Sequence, residues 1–405
     1  MSGSCNKLQE DFPALSRDID GRKLIYLDNA ATTLKPLAVI DAITHYYATN
    51  GANIHRGKHR LSSEASDAYE EARVLVAQHI GAFANEIIFV KNTTEALNLV
   101  AQGIGLTAAD SIVGCVDAHH SQILPWKRVA MLHLARMGAD GQIDLEHLRD
   151  LLRTRPKVVA LTHCSNVTGV VQPIAEIARQ VREVCDAAIV LDAAQSLPHE
   201  RLNVGEMDVD FVAFSAHKML GPTGVGCLYG RFEQLSRLAP MAVGGGMVDW
   251  VDEREHIARA LPQRLEAGTP PIADVIGFGA AIRYLGGLDN RVRLRHAEAL
   301  SRALIQATLA RPYLRVVGPP HARHRHPIVS VQLSGNMPAG EIARLLSDSY
   351  GIMCRSGFLC AQPLVQALAG AEVLRFSAYI YNDAAEIDYV YAALDELAQC
   401  MGVRC

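Results

Sequence analysis

An α/β fold, with a mostly parallel sheet between helices and a smaller α+β domain behind it, is predicted by three observations. Short β-branched runs alternate with segments of helical periodicity from about residue 60 to 290. The strand-like runs are apolar almost throughout, as strands covered on both faces must be. Polar residues with chemical capability recur immediately after those runs.

Residues 1–26 read as an arm that joins the small domain and a short lead-in, ending in Leu24-Ile25-Tyr26-Leu27 before the polar turn Asp28-Asn29-Ala30-Ala31-Thr32-Thr33. Pro36 is placed to open a helix. The expected strands cover residues 87–90, 111–116, 157–162, 188–191, 211–214 and 227–229. Between the first two lies a helix over 94–104 with Leu97, Val100, Ala101 and Ile104 on one face. A long helical stretch over 272–285 is interrupted at Gly286-Gly287, and the domain change is placed there, giving a large domain over 27–288 and a small one over 289–405. The small domain contains an arginine-rich helix to about Arg311, a strand over 328–333 and helices over 340–350 and 383–399.

With 405 residues, 49% hydrophobic and 20% charged, the chain has room for two or three domains with ample cores. A net charge of −4 leaves no footprint for nucleic acid or an anionic membrane, so a small-molecule ligand is expected. The first residues lack the pattern of a secretory signal and no apolar run is long enough to span a bilayer, so a cytoplasmic location is the expectation. Nine cysteines at irregular spacings do not form a disulfide framework; Cys115, Cys164 and Cys227 read as small hydrophobes.

Ligands of open parallel sheets bind beyond the carboxyl ends of the strands. At those ends stand Thr93-Thr94-Glu95, Asp117-Ala118-His119-His120, His163-Cys164-Ser165-Asn166, Asp192-Ala193-Ala194-Gln195 and Ser215-Ala216-His217-Lys218. A lysine on an ordinary surface loop is solvated. One held at a strand end is desolvated, its pKa falls, and it can form a Schiff base or act as a general base. Gly221, Gly224 and Gly226 resemble a phosphate loop, but no Gly-Lys-Ser/Thr follows, which disfavours a nucleotide P-loop. The stretch His321-Ala322-Arg323-His324-Arg325-His326-Pro327 has no carboxylate or cysteine among its sequence neighbours; it is read as a structural or solvated loop, and no metal is assigned.

A strand-end lysine, a strand-end aspartate, a histidine ring and hydroxyls at a helix start together suit pyridoxal phosphate. The amine forms the imine, the carboxylate keeps the pyridine nitrogen protonated so that the ring withdraws electrons, and the hydroxyls and helix N-terminus hold the phosphate. Plainer roles exist for each: a helix cap for Asp192, a surface ion pair for Arg375, turn or interface packing for Asn29, His55 and Arg56.

The motifs Asp11-Phe12-Pro13, Tyr26 to Ala31, His55-Arg56-Gly57, Thr93-Thr94-Glu95, Asp192-Ala193-Ala194-Gln195, Ser215-Ala216-His217-Lys218, Glu266-Ala267-Gly268-Thr269-Pro270, Cys360-Ala361-Gln362-Pro363 and Leu374-Arg375 occur in that order. By them the chain resembles, almost end to end, the cysteine desulfurases and selenocysteine lyases of the sulfur-mobilisation type, within the class V aminotransferases. The resemblance implies a pyridoxal phosphate-dependent transferase of fold type I, with a mostly parallel seven-stranded sheet in the large domain, acting as a homodimer. It implies that Lys218 bonds to the cofactor and then moves the substrate α-proton. Asp192 would meet the pyridine nitrogen, Gln195 the phenolic oxygen, and His119 would stack on the ring and help proton transfer. Thr93, Thr94, Ser215, His217 and the partner's Thr269 would hold the phosphate. Arg375 would grip the substrate carboxylate with Asn166 beside it, and Asn29, His55 and Arg355 would line the site.

Cys360 follows Arg355-Ser356-Gly357-Phe358-Leu359, the Arg-x-Gly-x-x-Cys setting of that family, and is read as the nucleophile rather than an inert thiol. The implied reaction turns L-cysteine into L-alanine, with sulfur held on Cys360 as a persulfide before a thiol or acceptor protein takes it. Selenocysteine is a second implied substrate. The chain departs from the family at Phe358-Leu359, where histidines or a polar–histidine pair are common, at Ala118 in place of an acid, at Gln122 in place of asparagine, and at the basic Lys58 and Arg60. Removing polar groups around the thiol is expected to raise its pKa and to bear on sulfur transfer more than on cofactor binding. The alternatives are a C–S lyase or another class V enzyme of specialised metabolism, and a non-catalytic scaffold, against which both Lys218 and Asp192 speak.

Overall fold

The computed structural model describes residues 8–403 other than Asn336; residues 1–7 of the expected arm, and Cys405, lie outside the described residues. The chain enters through β1 (Ile25–Tyr26), α1 (Leu37–His45, directly after Pro36) and α2 (Arg60–Ile80). A seven-stranded sheet follows: β2 (Ile87–Val90), then α3 (Thr93–Gly103), β3 (Ser111–Cys115), β4 (Met131–Ala135), β5 (Val158–Thr162), α4 (Ile174–Val184), β6 (Ala188–Asp192), β7 (Phe211–Ser215) and β8 (Gly226–Gly230). Their spatial order is β2-β8-β7-β6-β5-β3-β4; all pairs are parallel except those of β8, which runs antiparallel to β2 and β7.

Successive side chains of these strands enter opposite cores. Val113, Val159, Leu161, Ile189, Leu191, Val212 and Phe214 join one apolar cluster, and Ile112, Val158, Ala160, Val190, Phe211 and Ala213 another. Both faces are covered, which is why the strands read as continuous apolar runs. The sequence reading omitted β4. It is an edge strand whose Met131 is exposed and whose next three residues are half-buried, so it lacks that signature.

Helix α5 (Ile272–Gly287) runs through the two glycines expected to interrupt it and packs on α1 and α2. A Cβ on Gly279 would lie 2.8 Å from that of Ala72, so the closeness of the α2 crossing requires glycine there. After α6 (Asn290–Leu309), capped by the Asp289 carboxylate, come β9 (Leu314–Val316), β10 (Ile328–Leu333), α7 (Ala339–Tyr350), β11 (Ile352–Met353), β12 (Arg355–Gly357), α8 (Gln362–Leu368), β13 (Val373–Ser377) and α9 (Ala384–Cys400). Four of these strands form an antiparallel sheet in the order β9-β10-β13-β12, while β11 pairs in parallel with β1.

One face of the smaller sheet packs Val329, Val331, Leu374 and Phe376 against α6, α7 and α9. Ile25 and Leu27 join this core, whereas Phe12 and Leu15 belong to the larger one. The other face turns toward the large sheet: Ser330 Oγ donates to the carbonyl of Val167 at 2.6 Å, and Arg375 Nη1 to that of Asn166 at 3.0 Å. The cleft between the sheets therefore receives side chains from both. Among the described residues, no helix is long and apolar enough to cross a membrane.

Candidate active site

The carboxyl ends of β5, β6 and β7 open on a cavity of about 390 Å³, within the range of roughly 300–1,000 Å³ usual for small-molecule sites. Register places Thr162 beside Asp192, and Ser215 ends the next strand. Lys218 closes a single helical turn after β7, held by Ala216 N–H to Val225 O at 3.1 Å and Gly221 N–H to Ala216 O at 2.9 Å. The carbonyl of His217 accepts from Thr32 Oγ1, Thr33 Oγ1 and Lys35 Nζ at 3.0, 3.1 and 2.9 Å, so the turn is pinned from outside as well.

Burial lowers the Lys218 ammonium to about 8; the Asp192 carboxylate opposes this and Arg375 reinforces it. Asp192, fully buried, is pushed up by desolvation, with the Lys218 charge and the Ala194 N–H, at 2.9 Å, pulling the other way. Gln195 sits beside it, its amide donating to Ala30 O at 2.8 Å. His119 is lowered to about 3, first by burial and then by the Lys218 cation. Its Nδ1 accepts from Ser121 N–H at 3.1 Å, which leaves the ring proton of the neutral imidazole on Nε2.

At one end of the cavity α3 begins, with Asn92 as its N-cap accepting from Glu95 N–H at 3.0 Å. Ser215 Oγ accepts from Thr93 N–H at 2.8 Å and meets Thr93 Oγ1 at 2.7 Å, and Thr94 Oγ1 meets Ser121 Oγ at 2.7 Å. Gly226 makes this closeness possible: a Cβ there would fall 2.7 Å from Asn92 Cα. With His217, held neutral at about 4 chiefly by burial, these hydroxyls and the helix N-terminus form an anion cradle.

Another part of the lining is cationic. Arg375, only 2% exposed, donates to Asn166 O and, at 3.1 Å, to Asp28, while its buried Nε has no partner. Arg355 grips the same Asp28 carboxylate through Nε at 3.1 Å and Nη2 at 2.8 Å. Cys360 lines the cavity from an exposed loop. That loop is tied by His120 N–H to Cys360 O and by Asn166 Nδ2 to Leu359 O, both at 2.7 Å.

Thus Lys218, Asp192, Gln195, His119, Thr93, Thr94, Ser215, His217, Asn166, Arg355, Arg375 and Cys360 meet at one cavity. Asn29 does not. Its amide is engaged by Ser377 O at 2.8 Å and Asn382 Oδ1 at 3.2 Å, and its Oδ1 accepts from Tyr381, so it joins β13 to the chain entry. His55 pairs with Glu70 at 3.0 Å and packs edge-on to Tyr69, and Thr269 lies exposed; neither lines this cavity. The sequence reading missed Asp28, Ser121 and Thr162. Asp28 stood in a quoted motif directly after an apolar strand, which was the available signal.

The donor set fits pyridoxal phosphate: an anion cradle, a buried carboxylate, a lysine whose ammonium is lowered to about 8, and an unpartnered guanidinium nitrogen for a second anion. The aminotransferase class-V profile matches residues 25–390. Curated relatives include a probable cysteine desulfurase of Streptomyces coelicolor, 39% identical over 98% of this chain and 97% of its own, and a cysteine desulfurase of Dickeya dadantii, 39% identical over the same shares. The chain belongs to the aminotransferase class-V family. Among solved structures, the apo cysteine desulfurase of Thermococcus onnurineus superposes on this class-V chain with a TM-score of 0.89 at 35% identity, covering 98% of both. The cysteine desulfurase CsdA of Escherichia coli, in an S-sulfonic acid form, gives 0.86 at 32% identity, also covering 98% of both chains.

Proposed function

We propose that the chain is a pyridoxal phosphate-dependent cysteine desulfurase, converting L-cysteine to L-alanine and carrying the sulfur on Cys360 as a persulfide. The observation that carries this reading is the convergence of Lys218, Asp192, Arg375 and Cys360 on one cavity. The full-length similarity to proteins named cysteine desulfurase supports the same substrate.

Thr93, Thr94, Ser215 and His217 would hold the cofactor phosphate, Asp192 the ring nitrogen and Gln195 the phenolic oxygen, with His119 beside the ring. The bound cofactor supplies an electron sink for the bonds at the substrate α-carbon. Lys218, with its ammonium lowered to about 8, is available as a neutral amine to take up and return the α-proton. Arg375 offers its unpartnered Nε and the fork of its guanidinium to the substrate carboxylate, with Arg355 adding positive charge. The Cys360 sulfur attacks the substrate sulfur; an S–S bond forms as the C–S bond breaks, and the carbon skeleton leaves as alanine after protonation. Cysteine plus the Cys360 thiol equals alanine plus the Cys360 persulfide, so no outside oxidant is needed.

The site is read as completed in a homodimer. Thr269 and His55 lie outside this chain's own cavity but are linked to each other's surroundings: His55 packs on Tyr69, whose hydroxyl reaches Glu266 at 3.4 Å, and Arg56 donates to Val248 O at 2.8 Å. The hairpin of Val248–Val251 and His256–Ala258 exposes Trp250, Val251 and Ile257, apolar surface suited to a second copy. All seven described cysteines are unpaired, which supports a reducing, cytoplasmic setting. The exposure of Cys360 supports passage of sulfur to an acceptor protein.

The test gives the purified chain L-cysteine and a reductant. Sulfide and alanine should appear in equal amounts, and Cys360→Ala should lower this by at least about 100-fold while keeping the cofactor's absorbance. Pyruvate and ammonia in place of alanine would instead make the protein a C–S lyase.

A further inference from the structure

The reaction leaves unused a cluster that starts one residue before the cavity-lining Cys164. There the His163 imidazole turns to Glu200, Nε2 to Oε1 at 4.0 Å. The same Glu200 oxygen lies 3.2 Å from His326 Nε2, and its other oxygen lies 3.8 Å from His324 Nε2. Among the described residues the ion-pair partners of this carboxylate are all histidines; no lysine or arginine pairs with it. The sequence around residues 321–327 offers the imidazoles no acid, and the fold brings one from the turn after Pro198.

One donor atom from each of Glu200, His324 and His326 lies within 4.8 Å of the other two. Ligands of a tetrahedral zinc ion, each about 2.0–2.1 Å from the metal, stand about 3.3 Å apart. The Glu200–His326 pair already has that spacing. His324, half exposed, can close by turning its side chain. His326 is held ready for it: its ring stacks on His199 at 4.7 Å, His199 packs edge-on to Tyr379, and the His326 backbone N–H donates to Gly169 O at 2.9 Å. The buried Nδ1 of neighbouring His163 has no hydrogen-bond partner.

We infer that Glu200, His324 and His326 bind one divalent transition-metal ion of borderline softness, with zinc as the reference, leaving a fourth position to solvent beside His163. Two imidazoles and one carboxylate suit such an ion, whereas magnesium and calcium favour all-oxygen sets. The ion would join the loop before β10, a strand bonded to Arg375-bearing β13, to the segment that follows Asp192 and Gln195. It would thus fasten the small sheet to the large one behind the cleft. The inference stands whether or not the protein acts on cysteine.

The test uses the full-length chain without an affinity tag, loaded with pyridoxal phosphate, dialysed against zinc and then against metal-free buffer. About one zinc ion per chain should remain. His324→Ala and Glu200→Gln should each weaken retention by at least about tenfold, and Cys360→Ser should leave it unchanged. Cobalt(II) in place of zinc should show a tetrahedral visible spectrum without a thiolate charge-transfer band. Circular dichroism and cofactor absorbance check folding, and His324, being on the surface, is the safer substitution. Zinc that stays with both His324→Ala and Glu200→Gln, zinc that leaves with Cys360→Ser, or a wild-type chain that retains none would each overturn the inference.

Discussion

The Lys218 turn and the Cys360 loop face one cavity and are built in opposite ways. Lys218 follows a central strand covered on both faces, and its turn is bonded from the chain entry through Thr32, Thr33 and Lys35. Cys360 sits outside regular structure, exposed, tied by two backbone-directed hydrogen bonds and by Leu359 packing on Val167, Leu364 and Val365. The difference teaches that electronic control of the substrate is assigned to the rigid side. On the proposed reaction, carriage of sulfur falls to the exposed side.

If so, damage to the rigid side should stop chemistry outright. Lys218→Ala should lower turnover by about 10²–10⁴-fold, the usual scale for losing a positioned general base, with cofactor still bound but no longer fixed by borohydride. Turnover within tenfold of wild type would break the comparison. Loosening the Cys360 loop without removing its thiol should be milder and confined to sulfur transfer. Asn166→Ala removes the bond to Leu359 O, worth about 1 kcal/mol, so turnover on cysteine should fall roughly fivefold with the cofactor spectrum unchanged. A raised KM for cysteine with unaltered kcat would show instead that Asn166 acts on the substrate carboxylate.

A separate effect, read on stability and not on turnover, is expected in acid. His79, His119 and His217 are lowered to about 4, 3 and 4, each chiefly by burial. Between about pH 6.5 and 4 the unfolded chain therefore binds more protons than the folded one. Their contribution is complete above that window and is lost as pH falls through it, by at most about 1.4 kcal/mol per pH unit for each imidazole. Urea midpoints measured at pH 7, 6 and 5 should fall in that order; a midpoint that does not move would mean these rings take up protons while folded.

Much of this was legible in the sequence, for a physical reason. Strands buried on both faces must be apolar at every position, so five of the seven strands of the large sheet announced themselves at nearly their full length, from Ile87 to Phe214, and Cys227–Tyr229 marked β8. Edge strand β4 and short β12, with Arg355, Ser356 and Gly357, carry no such run and were passed over. Gly286-Gly287 suggested a break because glycine weakens a helix, but α5 is buried along most of its length and tertiary packing outweighed the roughly 1 kcal/mol per glycine. In the site, residues at strand ends were readable because topology fixes where they go. Asn29, by contrast, is directed by contacts to Ser377, Tyr381 and Asn382, far away in sequence, which no local pattern encodes. The same holds for the meeting of Glu200 with His324 and His326.

Leu359 and Cys360 both adopt φ of 54°, a left-handed conformation that costs non-glycine residues about 1–2 kcal/mol each. Two such residues in succession hold the loop in a shallow energy well whose depth depends on a few outside contacts. Other backbone arrangements then lie within a few multiples of thermal energy. Handing over the product atom would require only a local change of two or three dihedral angles, with the sheet that holds Asp192 left at rest.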